Sequence, residues 1–359
     1  MTCLPAELVH LIIDNHSTST ALALVNRYYN HVVTPTLYEK VVLKTTFALE
    51  AFRDTLVTGR PLLRLYPVSL HICHYPENAY NDPKYLNSTI KEILMSVPNL
   101  TDLHLTLSPP VTRYLLKDPQ YPFLLRMLRM VPTKDALFVE FLRTQPKIEN
   151  LALMLDSGDA DLYFTPGWQS VPSPLEPQIL PNLKSIESDR INVSFLVPHH
   201  PVTSVSLFHS HKDFEFHNEI AKSLTPLGRL SECIQLWEVP WETGIVSRCF
   251  PSLEFCKGSL REFSLEIVPA DYRLIEHSVL RFLKNRGDSS YGLANIRNSL
   301  SVFSALKKFS LNFHTDWYND LTAEFCTTVP ELSQIDVWRN SCPELQEIIL
   351  FGITLRGSS

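Results

Sequence analysis

The sequence predicts an α/β protein in which three N-terminal helices precede an irregular solenoid of parallel strands and intervening helices. Two observations predict this architecture. One short phrase of alternating apolar residues recurs along most of the chain, and apolar residues at helical spacing fill the intervals between its copies. A chain of 359 residues that is 45% hydrophobic is long enough for such an elongated array with a small attachment.

A short helix is predicted at the N-terminus, running to about Asp14. Pro5 suits the first helical position, where its missing N–H is not needed, and Glu7 lies in the first turn, where the helix dipole favours an anion. Its apolar residues recur at helical spacing and cover more than one face: Leu4, Leu8, Val9, Leu11, Ile12 and Ile13.

Two more short helices are predicted after the cap cluster at residues 17–20. The first carries an apolar stripe that includes Leu24, Val25 and Tyr28, and the second is predicted to begin at Thr34–Pro35. Three short helices cannot form a stable core alone, because ordering each residue costs on the order of 1.5 kcal/mol. The surplus apolar surface is therefore covered either by the rest of the chain or by a second protein.

The order and chemistry of these segments resemble the F-box, a three-helix motif that docks on the Skp adaptor of cullin-based ubiquitin ligases. The matching segments are Leu4-Pro5-x-Glu7-Leu8-x-x-x-Ile12-Ile13, Leu24-Val25-Asn26-Arg27-Tyr28 and Thr34-Pro35-x-Leu37-Tyr38. The resemblance implies that residues 1–43 are an F-box that binds a Skp-type adaptor and, through it, a cullin. The residues that it assigns to adaptor binding are Leu4, Pro5, Glu7, Leu8, Ile12, Leu24, Val25, Tyr28, Pro35 and Leu37.

A connecting helix is predicted within residues 44–66, capped at Thr45 or Thr46 and ended by Gly59. Beyond it the phrase P-x-L-x-x-L-x-L begins to recur. Its period-two tail predicts a short strand with one buried face, and its first leucine fills the turn into that strand. The first leucine-like residues of the copies are Leu100, Ile148, Leu183, Leu332 and Leu345, joined by Leu260 and Leu306 in copies that lack the proline.

This phrase resembles a leucine-rich repeat, whose units need their neighbours to close a core. The resemblance implies a solenoid over residues 67–359, with parallel strands on its concave face and helices outside. The copies are unevenly spaced, since 48 residues (153 − 105) separate two strand leucines, so extra helices or degenerate units must lie between them. Helices are predicted over residues 85–95, 123–142, 214–224, 272–283 and 321–329, and further strands over residues 205–207 and 234–236.

The whole chain resembles the fungal type of F-box protein with an irregular leucine-rich-repeat region. The resemblance implies the substrate-recognition subunit of a ubiquitin ligase, in which the F-box binds the adaptor, the solenoid binds a target protein, and other subunits perform the chemistry. The alternative is a repeat scaffold with a worn F-box that binds proteins outside any ligase. Neither role makes the chain itself an enzyme.

Strand alternation also predicts where a target would bind. Large aromatic residues follow several buried strand positions, so they are placed on the opposite face of the sheet. They are either a recognition surface or side chains that loops and helices cover. The predicted target-binding candidates are Phe208, Trp237 and Trp338, with Trp241 as a neighbour.

Composition and motifs argue against other functions. A net charge of −6, from 32 basic and 38 acidic residues, provides no global positive field for nucleic acid or an acidic membrane. The sequence has no dinucleotide, P-loop, nucleophile-elbow or zinc-protease motif, so no cofactor or catalytic residue is predicted. The histidines at 199–217 have no acidic or thiol ligands at metal spacing beside them. The aspartates at 156–161 resemble part of a calcium loop, but no bidentate glutamate follows at the required position. The absence of a signal peptide or a membrane-spanning stretch predicts an intracellular protein, cytoplasmic, nuclear or both, with reduced cysteines.

Overall fold

The computed structural model describes residues 21, 23–73, 83–133, 135–154, 174–210, 227–236, 253, 256–269, 283, 289–313 and 321–357. The chain divides into two compact units. The first comprises residues 1–170 with 178–182, and the second comprises residues 171–177 with 183–359.

Strands and helices alternate along the first unit. Its strands are β1 (Lys40–Leu43), β2 (Ser69–Cys73), β3 (Asp102–Thr106), β4 (Met127–Met130) and β5 (Asn150–Leu153). Its helices are α1 (Arg27–Glu39), α2 (Thr46–Thr58), α3 (Pro83–Met95), α4 (Pro109–Leu116) and α5 (Ala136–Arg143), with a 3-10 helix at Pro61–Leu65. Each strand pairs in parallel with the next strand in the chain, and helices α2 to α5 pack consecutively on one another.

The second unit repeats this pattern. Its strands are β6 (Ser185–Ser188), β7 (Ser204–Ser210), β8 (Arg229–Leu236), β9 (Glu262–Pro269), β10 (Lys308–Phe313), β11 (Glu347–Leu350) and β12 (Ile353–Arg356). Its helices are α6 (Arg190–Leu196), α7 (Ser289–Leu300), α8 (Ala323–Thr328), α9 (Pro330–Ser333) and α10 (Ile335–Arg339). Strands β6 to β11 pair in parallel and in chain order.

A hairpin ends the sheet of the second unit. Strand β12 pairs antiparallel with β11 across a turn formed by Phe351 and Gly352, whose φ angles are 51° and 84°. Positive φ at both positions is typical of a two-residue hairpin turn, because its twist matches that of the flanking strands. The ring of Phe351 is buried and stacks on Phe313 with 5.1 Å between centroids, which stabilises the strained backbone.

The recurring phrase works as a turn followed by a strand. In the copy at residues 97–105, the N–H of Leu100 donates to the carbonyl of Val97 at 3.4 Å, so Pro98 occupies the turn position that a proline ring favours. In nine copies that lead into strands, the first leucine-like residue is at most 1% exposed: Leu100, Leu125, Ile148, Leu183, Val202, Leu227, Leu260, Leu306 and Leu345.

One backbone carbonyl, which accepts two hydrogen bonds, joins most strands to the strand before them. The carbonyl of Val68 accepts from two successive N–H groups, those of Thr101 and Asp102, at 2.9 and 3.0 Å. The same shared acceptor recurs at Thr101, Arg126, Lys184, Thr203, Gly228, Arg261 and Lys307. Register is therefore fixed within each unit, and side chains at matched positions of neighbouring strands form rows.

The predicted α/β architecture with parallel, leucine-rich-repeat-like strands is confirmed. The strands predicted at residues 103–105, 151–153, 205–207, 263–265, 309–311 and 348–350 all lie in described strands. The connecting helix is α2, which Thr45 caps by accepting the N–H of Ala48 at 3.1 Å. The helices predicted at 214–224 and 272–283 fall outside the described residues, apart from residue 283.

The single helix predicted over residues 123–142 is wrong. The segment forms strand β4 and then helix α5, because Pro132 cannot continue a helix and Asp135 caps a new one by accepting the N–H of Phe138 at 3.3 Å. Leu128 and Met130 are fully buried and belong to a degenerate copy of the phrase. The long interval between the strand leucines of β3 and β5 thus contains a complete repeat unit.

The strand predicted at residues 335–337 is also wrong, because that segment lies in helix α10. At the N-terminal side, Thr34–Pro35 does not begin a separate helix. Asn26 caps α1 by accepting the N–H of Tyr29 at 2.9 Å, and the helix continues through Pro35 to Glu39. Residues 40–43, predicted as the end of the helical motif, form the first strand of the sheet.

Candidate protein-binding surfaces

Helix α1 is anchored by its C-terminal half, and apolar side chains are exposed just before its N-cap, Asn26. Val33 is fully buried, and Tyr38 stacks on Phe52 of α2 with 6.3 Å between ring centroids. In contrast, Leu24 and Val25 are 83% and 63% exposed. Exposure of this kind is costly in water, which makes the segment just before α1 a candidate protein-binding surface.

The predicted adaptor-binding residues are only partly described. Leu4, Pro5, Glu7, Leu8 and Ile12 lie outside the described residues. Tyr28 is 39% exposed beside the exposed leucine and valine, whereas Pro35 and Leu37 are half-buried in α1.

The prediction that Trp338 belongs to a target-binding surface is wrong. Its side chain is 1% exposed on α10, and its indole N–H donates to the carbonyl of Glu331 at 2.8 Å. The ring packs on Phe309 of β10 at 6.0 Å between centroids, so it belongs to the core of the second unit. Trp237 and Trp241 lie outside the described residues, and Phe208 lies in β7 with its side chain outside the described part.

The open face of the first unit's sheet carries three polar side chains in the middle of one row. The parallel register aligns Val42, His71, His104, Arg129 and Ala152 on successive strands β1 to β5. The imidazoles of the two histidines stack face to face, with 3.8 Å between centroids and 6° between planes. We call these two stacked rings the histidine pair.

Both members of the histidine pair are held in the neutral form. Burial, then the neighbouring His71 and Arg129, lower the pKa of His104 to about 4. Burial, then Lys44 and Arg129, lower the pKa of His71 below its ordinary value. Nε2 of His104 lies 3.2 Å from the hydroxyl of Thr106, whereas Nε2 of His71 is buried without a hydrogen-bond partner in the structure.

The open face of the second unit's sheet is different, because its described charged side chains form ion pairs with one another. Glu262 lies 3.4 Å from Arg229, and Glu347 lies 3.0 Å from Lys308 and 2.9 Å from Arg356. The hydrogen bonds from Lys308 and Arg356 lower the pKa of Glu347. The next row of matched positions is formed by small hydroxyl residues, namely Ser206, Ser231, Ser264 and Ser310.

Sequence reasoning missed the histidine pair. The available signal was the residue between the two apolar positions of each strand, Leu70-His71-Ile72 and Leu103-His104-Leu105. Period-two alternation places this residue on the open face, and the parallel pairing of successive strands brings its copies together.

No protein-family model matches the chain, and no curated protein matches it. Among solved structures, it is similar to the leucine-rich repeat-containing protein LegL7 from Legionella pneumophila. That similarity has a TM-score of 0.42 and 15% sequence identity, and it covers 84% of this chain and 94% of that chain. The leucine-rich-repeat-like description of this chain rests on its strand order and its buried phrase.

Membrane-spanning helices and metal-binding clusters are both absent from the described ranges. Among the helices described, none combines the length and the apolar character needed to cross a membrane. The same part of the chain contains no group of three or more histidine, cysteine or acidic residues placed to hold a metal ion.

Proposed function

We propose that this chain is the substrate-recognition subunit of a Skp/cullin/F-box type ubiquitin ligase, with its N-terminal helices binding the adaptor and its repeat region binding a target protein. The observation that carries the proposal is the exposure of Leu24 and Val25 on a segment whose sequence resembles the F-box. A leucine-rich-repeat-like fold with polar open faces supports the coarser part of the proposal, protein binding.

In this role the chain performs no bond chemistry. It raises the effective concentration of a target's lysines near the ubiquitin carrier that other subunits supply. Rigidity favours such a role, because a flexible support would spread the target over a larger volume. Within the first unit, Tyr38 of α1 stacks on Phe52 of α2 and α1 packs on β1, so an adaptor bound just before α1 keeps a defined orientation to β1.

A second candidate is a repeat scaffold that binds proteins outside any ligase. One observation favours it. The F-box resemblance implies separate second and third helices, whereas α1 runs unbroken from Arg27 to Glu39 through Pro35. If this geometry weakens adaptor binding, the repeat region still provides a protein-binding surface.

Binding of a purified Skp-type adaptor to the full chain separates the two candidates. Deleting residues 1–43 would remove strand β1, so the test uses Leu24→Asp with Val25→Asp. Both side chains are exposed in the free chain, so we expect an unchanged thermal midpoint together with adaptor binding weakened at least tenfold, since each buried apolar contact is worth about 1.5–3 kcal/mol.

Phe47→Asp is the matched control. Phe47 is 79% exposed at the start of α2 and outside the predicted adaptor-binding residues, so this variant should bind the adaptor as the wild type does. A wild-type chain that captures no adaptor at micromolar concentration would instead support the scaffold.

A further inference from the structure

Strand β12 is the last strand of the sheet in the second unit, and the proposed function gives its outer edge no role. We propose that two copies of this chain associate through β12, which pairs edge to edge with its own copy in an antiparallel arrangement. The proposal goes beyond the proposed function, because neither adaptor binding nor target binding requires it.

The hydrogen-bond alternation of the terminal hairpin determines which backbone groups of β12 point outward. The N–H of Gly357 donates to the carbonyl of Gln346 at 3.2 Å, so these two residues form a hydrogen-bonded pair. Such pairs alternate with non-hydrogen-bonded pairs along an antiparallel ladder. Thr354 and Arg356 therefore occupy non-hydrogen-bonded positions opposite β11, and their N–H and C=O groups point away from it.

These outward groups are available for pairing with another strand. Thr354 and Arg356 are exposed, and no backbone hydrogen bond that joins β12 to other described segments uses either residue. Strand β12 also lacks common protections of an edge strand, since it contains no proline or lysine and pairs with β11 without a bulge. The charge of Arg356 is neutralised by Glu347, which accepts hydrogen bonds from its Nε and Nη2 at 3.2 and 2.9 Å.

The apolar side chains of β12 are only partly shielded from water. Ile353 and Leu355 pair with Leu350 and Ile348, which are fully buried, so they lie on the core side of the sheet. Both are nevertheless only half-buried, because no further strand lies beside β12 in the described part of the chain. A neighbouring strand would cover them.

The sequence of β12 is complementary to itself about Leu355. A twofold axis through this residue places it opposite its own copy in a non-hydrogen-bonded pair, where side chains approach most closely. Thr354 then exchanges both backbone hydrogen bonds with Arg356 of the second copy, which gives about four bonds in all. Each arginine lies opposite a threonine, so no like charges face each other, and Ile353 lies opposite Gly357, which has no side chain to obstruct it.

The edge is rigid before any partner binds. The N–H of Gly352 donates to the side-chain carbonyl of Asn312 at 3.0 Å, and the N–H of Phe351 donates to the carbonyl of Leu311 at 2.7 Å. Strand β10 thus holds the hairpin turn, and a preorganised edge loses little conformational entropy on association. Because β12 is short, the interface is small, and we expect weak and reversible association.

Pairing of this kind would place the open faces of the two second units side by side. A twofold axis perpendicular to the sheet relates neighbouring antiparallel strands without inverting the sheet, so both open faces lie on one side. A target with two matching sites would then bind both copies with increased avidity.

Sedimentation velocity of the full chain at concentrations from about 1 to about 300 µM measures the association. We expect a reversible dimer whose Kd rises at least tenfold in Thr354→Pro, because the proline removes one outward N–H from each copy. The bonds to β11 do not use this N–H, so the thermal midpoint should stay near that of the wild type. Thr354→Ala is the matched control, because it keeps the N–H and should dimerise as the wild type does.

Complementary charges at Leu355 provide the second test. Leu355→Lys and Leu355→Glu should each weaken self-association at least tenfold, since like charges would lie opposite each other in the dimer. An equimolar mixture of the two variants should restore the dimer. The same two substitutions at Val42, which is 53% exposed on β1, should not promote association on mixing.

Three results would each overturn the proposal: a monomer at every concentration, a Thr354→Pro variant that associates as the wild type does, or a mixture of the charged variants that associates no better than either alone. Leu24→Asp with Val25→Asp should dimerise as the wild type does, so failure of this proposal is distinguishable from failure of the ligase role.

Discussion

Replacing Trp338 measures directly whether this aromatic side chain belongs to the core or to a binding surface. Its ring is 1% exposed, packs on Phe309 at 6.0 Å and donates a hydrogen bond to the carbonyl of Glu331 at 2.8 Å. Removing a buried tryptophan costs about 3–5 kcal/mol through lost transfer energy and the cavity that remains. We therefore expect Trp338→Ala to lower the free energy of unfolding by about that amount.

Trp338→Phe separates the packing contribution from the hydrogen bond. A phenyl ring keeps most of the contact with Phe309 but leaves the carbonyl of Glu331 without this donor, which costs about 1–3 kcal/mol. Both variants are followed by circular dichroism during urea unfolding of the full chain. Val302, which is 47% exposed in the same unit, provides the control, because Val302→Ala should stay within about 0.5 kcal/mol of the wild type.

A Trp338→Ala protein that unfolds within about 1 kcal/mol of the wild type would refute the core assignment. The same protein should bind any target as the wild type does at temperatures well below its own midpoint, since the indole touches no open face. Loss of target binding with unchanged stability would restore the surface interpretation that strand alternation predicts.

Two further predictions concern the first unit. His71 and His104 have pKa values below those of the unfolded chain, so the unfolded state binds more protons. The free energy of unfolding therefore falls as the pH drops from about 6.5 towards 4. Urea midpoints measured across this pH range should fall less steeply for His104→Asn than for the wild type. Gln145 is buried and accepts the N–H of Leu125 at 2.9 Å, so Gln145→Met should cost about 1–3 kcal/mol and speed hydrogen exchange at the Leu125 amide, and an unchanged exchange rate would contradict this role.

The sequence was sufficient to predict most strands, because each copy of the phrase combines a turn with period-two alternation. Strand β4 was missed since Met130 replaces the last leucine and the neighbouring apolar residues also fit a helical period. Pro132 was the stronger signal, because a proline inside a helix removes a backbone hydrogen bond and clashes with the preceding turn, which disfavours a continuous helix there. Local pattern and backbone chemistry disagreed there, and backbone chemistry decided the structure.

The candidate surfaces were harder to predict than the strands. Leu24 and Val25 are exposed just before the N-cap of α1, which the apolar pattern alone does not reveal. The histidine pair needs two residues 33 positions apart (104 − 71) to become neighbours, and only the parallel register determines that. A histidine between two buried strand residues therefore predicts a contact only once the pairing of the strands is known.

The proline turn itself does not determine whether the next residues form a strand or a helix. At Val329 and at Cys342 the same turn forms, with the N–H three residues later donating to its carbonyl. After the first turn, the N–H of Gln334 donates to the carbonyl of Pro330, and the chain stays helical. After the second turn, the N–H of Gln346 donates to the carbonyl of Lys307 in the preceding repeat, and a strand begins.

The interval between the two turns explains this difference. They are 13 residues apart (342 − 329), so a strand at residues 335–337 would leave four residues to reach the next turn. A crossover between parallel strands needs a dozen or more residues. The carbonyl of Lys307 is also already shared by the two N–H groups of the copy at Cys342. The earlier copy therefore has neither the chain length nor the acceptor for a strand, and its tail folds as helix α10, which buries Trp338.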